Sequence, residues 1–559
     1  MLSGDMEKLY PSAKTLVKEC VASRLRAKDA TLYGFSDEAQ ECAQNYMGWT
    51  DLATNPPYPL HEIQAFADSI IAQGLKSVVL IGQGGSTQAP MTITKYHKPD
   101  SSLVQFRTLD SDSPVRVRGI LSEIDPRTTL FIVSSKSGGT IEPRLALRAV
   151  RDALADQISD QEMVQHLVAI TDPGSKLEQQ AREEGWAAVF SGEPTVGGRF
   201  SALSVFGLLP AALVGINLQE FMRHAIDNPA IGLAAFLYDN YVQGRNKFSF
   251  LTQKRGRVLG LWIEQLVAES VGKNGQGILP NIEIDTLLLK NDPGDRSVIM
   301  YQTKNDLWDE RHNFEMSLSY IDPTIPRAAF KVESVYELPE HFIMWEYAIA
   351  MCGYLMKVCP FDQPDVASAK AAVLDILRDG QPEPDYVQDF IDDVHMGQVE
   401  VRQAPCFKDC TDVRASLRAL LASIQPGDFF ALNAFLPFTG EGRREALETI
   451  RHGVAEKRRV VSCLEVGPRY LHSTGQLQKG GPNCGVFLIL SADELKDIPL
   501  KEEAESLGSL AKAQASGDLV TLASRGRRCV HLHLPDNSGV TLRALAEVVC
   551  DILEELQQA

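Results

Sequence analysis

SVVLIGQGG at residues 77–85 and TTLFIVSSKSGGT at residues 128–140 share one pattern: an apolar run that stops abruptly at glycine and hydroxyl side chains. Such a run has no polar alternation, so it reads as a strand buried on both faces. HLVAITD (166–172) and AAVFSG (187–192) repeat the signal. Amphipathic stretches such as TIEPRLALRAVRDALADQ (140–157) lie between them. Buried strands alternating with helices give a parallel sheet with helices on both faces, a doubly wound α/β unit.

The alternation recurs twice. KFSFLTQ (247–253), RSVIMYQT (296–303) and RAAFKVE (327–333) read as strands of a second unit, with HFIMWEYAIAMCGYLMKV (341–358) as a long buried helix. After Pro382-Glu383-Pro384 come DFFALNAF (428–435), RRVVSCLEV (458–466), CGVFLIL (484–490) and RCVHLHL (528–534). The first 65 residues read as helices and loops, and the charged stretch Ser491 to Glu505 as a surface connection. The chain of 559 residues is too long for one core, which fits three α/β units without an exact sequence repeat. Their expected limits are 1–225, 226–385 and 386–559.

A net charge of -18 argues against non-specific nucleic-acid binding. No apolar run of about 18 residues suggests a membrane span, and the start MLSGDMEKLYPSAKTLVKEC reads as lacking a targeting signal. The ten cysteines are scattered, Cys406 and Cys410 being the closest pair, so most are expected to be buried thiols in a reducing cytoplasm and not a zinc site.

Parallel sheets bind ligands beyond the carboxyl ends of their strands. Gly82-Gln83-Gly84-Gly85-Ser86-Thr87 and Ser134-Ser135-Lys136-Ser137-Gly138-Gly139-Thr140 occupy two such ends, on what read as successive strands. Glycines let backbone N–H groups approach an anion, and hydroxyls add donors. Neither loop has P-loop or dinucleotide spacing, so the expected ligand is a monophosphate.

At these residues the sequence resembles the sugar-isomerase (SIS) fold and, within it, the glucose-6-phosphate isomerase family. The first loop is similar to that family's strand–GGS loop, placing Gly85 and Ser86 at the ligand. The second is similar to its S-K-[ST]-x-x-T phosphate loop, placing Ser135, Lys136, Ser137 and Thr140 around the phosphate. Gly197-Gly198-Arg199-Phe200-Ser201 resembles the GGR[YF]S signature. Glu264-Gln265 to Glu269-Ser270, then Gly272-Lys273, resembles the segment that ends in the catalytic glutamate. Phe361-Asp362-Gln363-Pro364 with Lys370 resembles the FDQ…K segment. These five elements occur in family order. The likeness extends to the C-terminus in the subgroup fused to transaldolase in some bacteria, though no transaldolase portion is visible here.

The resemblance implies two SIS-type doubly wound domains plus a C-terminal α/β domain. It also implies a cytoplasmic enzyme of glycolysis and gluconeogenesis, with a homodimer among its expected states and no metal or cofactor. Glucose 6-phosphate and fructose 6-phosphate interconvert by moving a proton between C1 and C2 through an enediol(ate). Glu269 is the expected base. Arg199, a permanent cation, stabilises the enediolate. Lys370 faces the ring oxygen or O1, and Gln363 hydrogen-bonds the sugar.

One departure stands out. The family opens the sugar ring with a histidine shortly after the glutamate segment, yet no histidine lies between Glu269 and His312. A similar string, Leu471-His472-Ser473-Thr474-Gly475-Gln476, occurs far downstream. His472 is therefore expected to reach the site from the third unit, in the same subunit or across a dimer; His312 and His341 fit less well, His341 reading as a packing residue. The alternatives are a non-catalytic sugar-phosphate regulator and an isomerase for mannose 6-phosphate or an amino sugar.

Overall fold

The computed structural model describes residues 10–97, 104–223, 230–283, 289, 294–303, 318–319, 321–389, 397–501, 503 and 505–558. His312 lies outside the described residues. Three separate sheets carry the chain.

The first sheet contains β1 (Ser77–Gly82), β2 (Gln105–Leu109), β3 (Thr129–Ser134), β4 (Leu167–Thr171) and β5 (Ala188–Ser191), all parallel, in the order β2-β1-β3-β4-β5. Its two faces enter different cores. Val78, Leu80, Leu130, Ile132, Val168 and Ile170 face one way. Their neighbours Val79, Ile81, Phe131, Val133, Leu167 and Ala169 face the other. That two-sided burial is why these strands have no polar alternation. β2 had no such signal: QFRTL is an edge strand with its first three residues partly exposed. It also separates β1 from β3 in the chain, so the two glycine loops lie on neighbouring rather than consecutive strands. Helices α1 (Gly85–Tyr96) and α2 (Ile141–Leu154) leave from those loops. The strand order reverses between β1 and β3, which opens a crevice there.

The second sheet, β7-β6-β8-β9, is also parallel: β6 (Lys247–Thr252), β7 (Leu279–Glu283), β8 (Arg296–Thr303) and β9 (Arg327–Val332). Helix α3 (Arg257–Val271) follows β6, and α4 (Leu338–Met356) and α5 (Pro364–Asp379) follow β9. His341 lies within α4, its Nδ1 at 2.9 Å from the Tyr301 hydroxyl.

The third sheet adds two short strands, the edge strand β10 and its neighbour β11, that the sequence reading lacked. β10 (Tyr386–Asp389) and β11 (Gln398–Gln403) pair antiparallel, and β11 pairs antiparallel to β15 (Arg528–Leu534). β12 (Phe429–Phe435), β13 (Val461–Val466), β14 (Gly485–Ala492) and β15 are parallel, in the order β15-β14-β12-β13. Two further helices matter: α6 (Gly475–Gly480) and α7 (Leu507–Ser524). Ser491 and Ala492 belong to β14, so the expected connection starts later, at Asp493. It straps the third unit to the first. Leu500 is buried in the outer core of the first sheet with Leu507 and Leu510. The Lys501 amide donates to Asp152 at 2.9 Å, and Glu503 pairs with Arg144.

The cysteine expectation needs correction: only Cys352, Cys359, Cys463 and Cys529 are buried, while Cys20 and Cys406 are exposed and the rest lie between. All ten are free thiols.

The second and third units meet over ionisable groups. Arg451 bridges Glu283 at 3.1 Å and Glu448 at 2.7 Å. Nearby, the carboxyls of Glu264 and Glu465 are both buried. Burial pushes Glu465 up to about 7 against the pull of Arg469. Burial, then the Glu465 charge, pushes Glu264 up as well. A raised carboxyl favours the folded state while protonated. Its contribution is full below the ordinary value of 4.5 and is lost as pH rises through about 7. Glu465→Gln should therefore stabilise the chain at pH 8, by up to roughly 3 kcal/mol, and change little at pH 5. Denaturant titrations of both proteins at the two pH values measure this, and an equal effect at both would contradict it.

Candidate functional site

A cleft of about 580 Å³ opens beyond β1 and β3, where α3, the start of α5 and the residues before α6 converge. Gly85, Ser86, Ser135, Lys136, Ser137, Thr140, Arg199, Glu269, Gln363, Lys370 and His472 all line it. Eleven residues from loops and helices of the three units thus share one space.

The floor is the pair of glycine loops. Gly84 takes φ +56°, turning the chain into α1. A Cβ at Gly85 would come within 2.1 Å of the Gly198 carbonyl oxygen, so only glycine lets the Gly198–Phe200 turn rest there. In the second loop, Gly138 has φ +63° and the Ser135 hydroxyl donates to Thr140 Oγ1 at 3.3 Å. Ser137 is exposed and lines the cleft, and α2 begins directly after Thr140 with no side-chain cap on its first turn. Lys136 lines the cleft but is already engaged: its ammonium donates to Asp172 Oδ2 at 2.6 Å and to the Glu193 carbonyl at 2.8 Å. Burial lowers the Lys136 pKa and raises that of Asp172, so desolvation outweighs the pairing on both sides.

Arg199 and Glu269 form the centre. Arg199 is 3% exposed. Its Nε donates to Ser270 Oγ at 2.8 Å, Nη1 to Gln363 Oε1 at 2.8 Å, and Nη2 to the carbonyls of Pro360 at 2.6 Å and Asp362 at 2.9 Å. Glu269 Oε2 lies 3.5 Å from Nη1 and accepts from Gln265 Nε2 at 3.2 Å. Gln265 and Glu269 are one turn apart on α3 and so share a face. Lys273 ties the same strap from below, donating to the carbonyls of Cys359 at 2.7 Å and Asp362 at 2.6 Å. Two buried cations therefore set the position of Gln363.

His472 stands opposite. Its Nε2 is 3.0 Å from Glu142 Oε1, which also accepts from Gln514 Nε2 at 3.0 Å. Burial pushes the Glu142 carboxyl up, but the charge and hydrogen bond of His472, with help from Lys370, bring it below its ordinary value. The contact lies within one chain. Lys370, two turns into α5, is exposed at the rim. Gln476, fully buried, donates to the Gly272 carbonyl at 3.1 Å and Asp365 Oδ2 at 2.7 Å and accepts from the Asp365 amide at 3.0 Å. It thereby fastens the His472 segment to the end of α3 and the start of α5.

Sequence reasoning missed Glu142, Gln265, Gln476 and Gln514. Glu142 falls in the first turn of a helix, where an acidic residue is ordinary. Nothing in the sequence pairs it with a histidine 330 positions away. Chemically, the cleft offers an anion cradle, a buried carboxylate against a guanidinium, and an imidazole backed by a second carboxylate.

The chain is similar to known proteins over much of its length. The family model described as phosphoglucose isomerase matches residues 66–229. The glucose-6-phosphate isomerase of Mycoplasmopsis pulmonis is 29% identical over 420 residues, 65% of this chain and 96% of its own. That of Trichormus variabilis is 33% identical over 267 residues, 42% of this chain and 50% of its own. The chain thus spans nearly all of one curated relative and about half of the other. A solved structure titled as a glucose-6-phosphate isomerase from Chlamydia trachomatis superposes with a TM-score of 0.50 at 19% identity, over 63% of this chain and 78% of that one, which establishes a shared SIS-type α/β fold.

The Gly85 contact yields a test. Gly85→Ala forces the added methyl against the Gly198 carbonyl and displaces the Arg199 turn. Overpacking of this kind costs about 1–3 kcal/mol. A lower unfolding midpoint, with weaker binding of inorganic phosphate by calorimetry, is expected; a variant as stable and as tight as the parent would refute the contact.

Proposed function

We propose that this chain, a relative of the glucose-6-phosphate isomerases, interconverts D-glucose 6-phosphate and D-fructose 6-phosphate. The single observation that carries the reading is the convergence of the phosphate-type cradle, the Arg199–Glu269 pair and the His472–Glu142 pair on one cleft. A regulator that only bound the sugar phosphate would need the cradle alone.

The phosphate sits among Ser135, Ser137 and Thr140 at the start of α2, with Gly85 and Ser86 across from it. Lys136 contributes positive potential from its place beside Asp172 rather than a free ammonium. Ring opening breaks the C1–O5 bond: one proton must reach O5 and one must leave the C1 hydroxyl. His472 carries that exchange through the ring nitrogen that does not face Glu142, and Glu142 stabilises the imidazolium. Lys370 faces the oxygen that gains charge.

Glu269 then removes the proton from C2 of the aldose and returns it to C1, while the O2 hydroxyl gives up its proton and O1 takes one up, so that the carbonyl passes from C1 to C2. Negative charge collects on O1 and O2, where Arg199 stabilises it. The guanidinium is held by four hydrogen bonds before substrate arrives, so it need not reorganise as charge develops. Gln363, fixed by Arg199 Nη1, presents its amide nitrogen to the sugar hydroxyls.

The same reading divides the chain near residues 225 and 385, which the separate sheets support. It places the enzyme in the cytoplasm, in line with the absence, among the described residues, of any helix long and apolar enough to cross a membrane. The homodimer rests on the resemblance.

Glu269→Gln keeps the shape and removes the base. A coupled assay with either hexose phosphate should show turnover reduced about 10²–10⁴-fold, with substrate binding retained; unchanged turnover would remove Glu269 from the role. His472→Ala should slow cyclic glucose 6-phosphate strongly and an acyclic aldose phosphate much less. Equal loss on both, or none on either, would return His472 to a structural part.

A further inference from the structure

The segment that carries His472 rests on a buried polar cluster with no part in the proton transfers. Tyr470 precedes the histidine by two residues, and its hydroxyl donates to Asp518 Oδ2 at 2.6 Å. Lys479, at the far end of the same segment, donates to the other oxygen, Oδ1, at 2.5 Å. Asn433 at β12 adds a contact of 3.3 Å to Oδ2 and exchanges hydrogen bonds with Gln478. Arg527 caps the carbonyls of Lys479 at 2.6 Å and Gly481 at 2.7 Å. Tyr470 and Asp518 are each 1% exposed and Lys479 is 2% exposed.

A charge pair so far from water is a poor source of stability, because desolvating both ions offsets most of their attraction. What such a pair does provide is a fixed geometry. Asp518 holds the segment on both sides of His472, and it does so from α7. One turn earlier on that helix stands Gln514, which donates to Glu142. Positions 514 and 518 share a helix face. A single rigid element therefore reaches both members of the His472–Glu142 pair.

We propose that α7 is the positioning element of this pair, with Asp518 fixing the segment that bears the imidazole and Gln514 fixing the carboxylate. Both are positioning residues, since neither touches substrate. The inference rests on the reading of His472 as the residue that opens the ring, and it extends the site into the third unit beyond its histidine. Residues that only orient a reactive group commonly account for about 10–100-fold in activity.

The test uses the full chain and two substrates. One is cyclic glucose 6-phosphate. The other is a four-carbon aldose 4-phosphate, whose C4 oxygen carries the phosphate and so cannot close a ring. Asp518→Asn removes the anchoring charge; because it strands the Lys479 cation and can impair folding, Tyr470→Phe and Gln514→Met provide milder variants. Each should lower kcat on the cyclic substrate about 10–100-fold, leave KM within about twofold, and spare the acyclic substrate. Introduced into the His472→Ala protein, none should cause further loss, since a residue acting through His472 has nothing left to act on. Parental kcat in Tyr470→Phe and Gln514→Met, or losses that add to that of His472→Ala, would overturn the proposal while leaving the ring-opening role intact. If His472→Ala itself slows both substrates equally, the ring-opening role falls. Positioning by α7 then still stands where its variants share that profile and add nothing to it.

Discussion

A guanidinium taken out of water must find a partner for its N–H groups, and Arg199 finds them in pieces of chain that are far apart in sequence. It belongs to a turn after the first sheet, yet its donors go to Ser270 at the end of α3 and to Pro360, Asp362 and Gln363 in the strap before α5. An unpaired buried cation would cost several kcal/mol, so the strap and the helix are constrained to meet it. The nearby Glu269 carboxylate shares its charge at 3.5 Å. Lys273 repeats the arrangement on the same strap. The residues proposed for catalysis are thus also structural ties. Arg199 and Glu269 at the centre of the cleft are accordingly buried, while Ser137 and Lys370 at its rim are exposed.

The three units meet at Gly84. A side chain there would crowd Gln265 of the second unit at 3.0 Å and His472 of the third at 3.1 Å. The helix α3 lies between the cores: Leu266 and Val267 pack with the first two units, while Ala268 packs with the third. Glu269 follows immediately, so its low exposure comes from being held between units rather than within one. The third unit is fastened at two further places, through Gln476 and through the strap around Leu500. The net charge of -18 does not decide the local field: in the cleft Lys136, Arg199 and Lys370 stand against Asp172, Glu269 and Asp362.

The parallel strands of all three units follow one order. Numbered within each unit, the sequence is 2-1-3-4, with a fifth strand added in the first and the antiparallel pair β10–β11 added beyond β15 in the third. No exact sequence repeat announces this, because two-sided burial asks only for apolar strands and not for particular side chains. Each unit thereby has a crevice between its first and third strands. The cleft described here lies at the crevice of the first unit, and the second and third contribute walls.

The sequence by itself determined the buried strands, because two-sided burial requires an unbroken apolar run, and such runs are legible as SVVLIG, TLFIVS and FFALNAF. It marked two glycine- and hydroxyl-rich strand ends, at residues 82–87 and 134–140, which the structure brings to one cleft. It pointed to His472 only through a short string far from the rest of the site. The edge strands β2 and β10, and β11 beside the latter, were not legible, because partly exposed strands have mixed side chains like those of loops. Only the tertiary structure decided which polar residues stand behind the site. Glu142, Gln476, Gln514 and Asp518 are ordinary helix residues in sequence. Each acquires its part from a partner more than 30 positions away, and a hydrogen bond depends on distances that folding alone brings within reach.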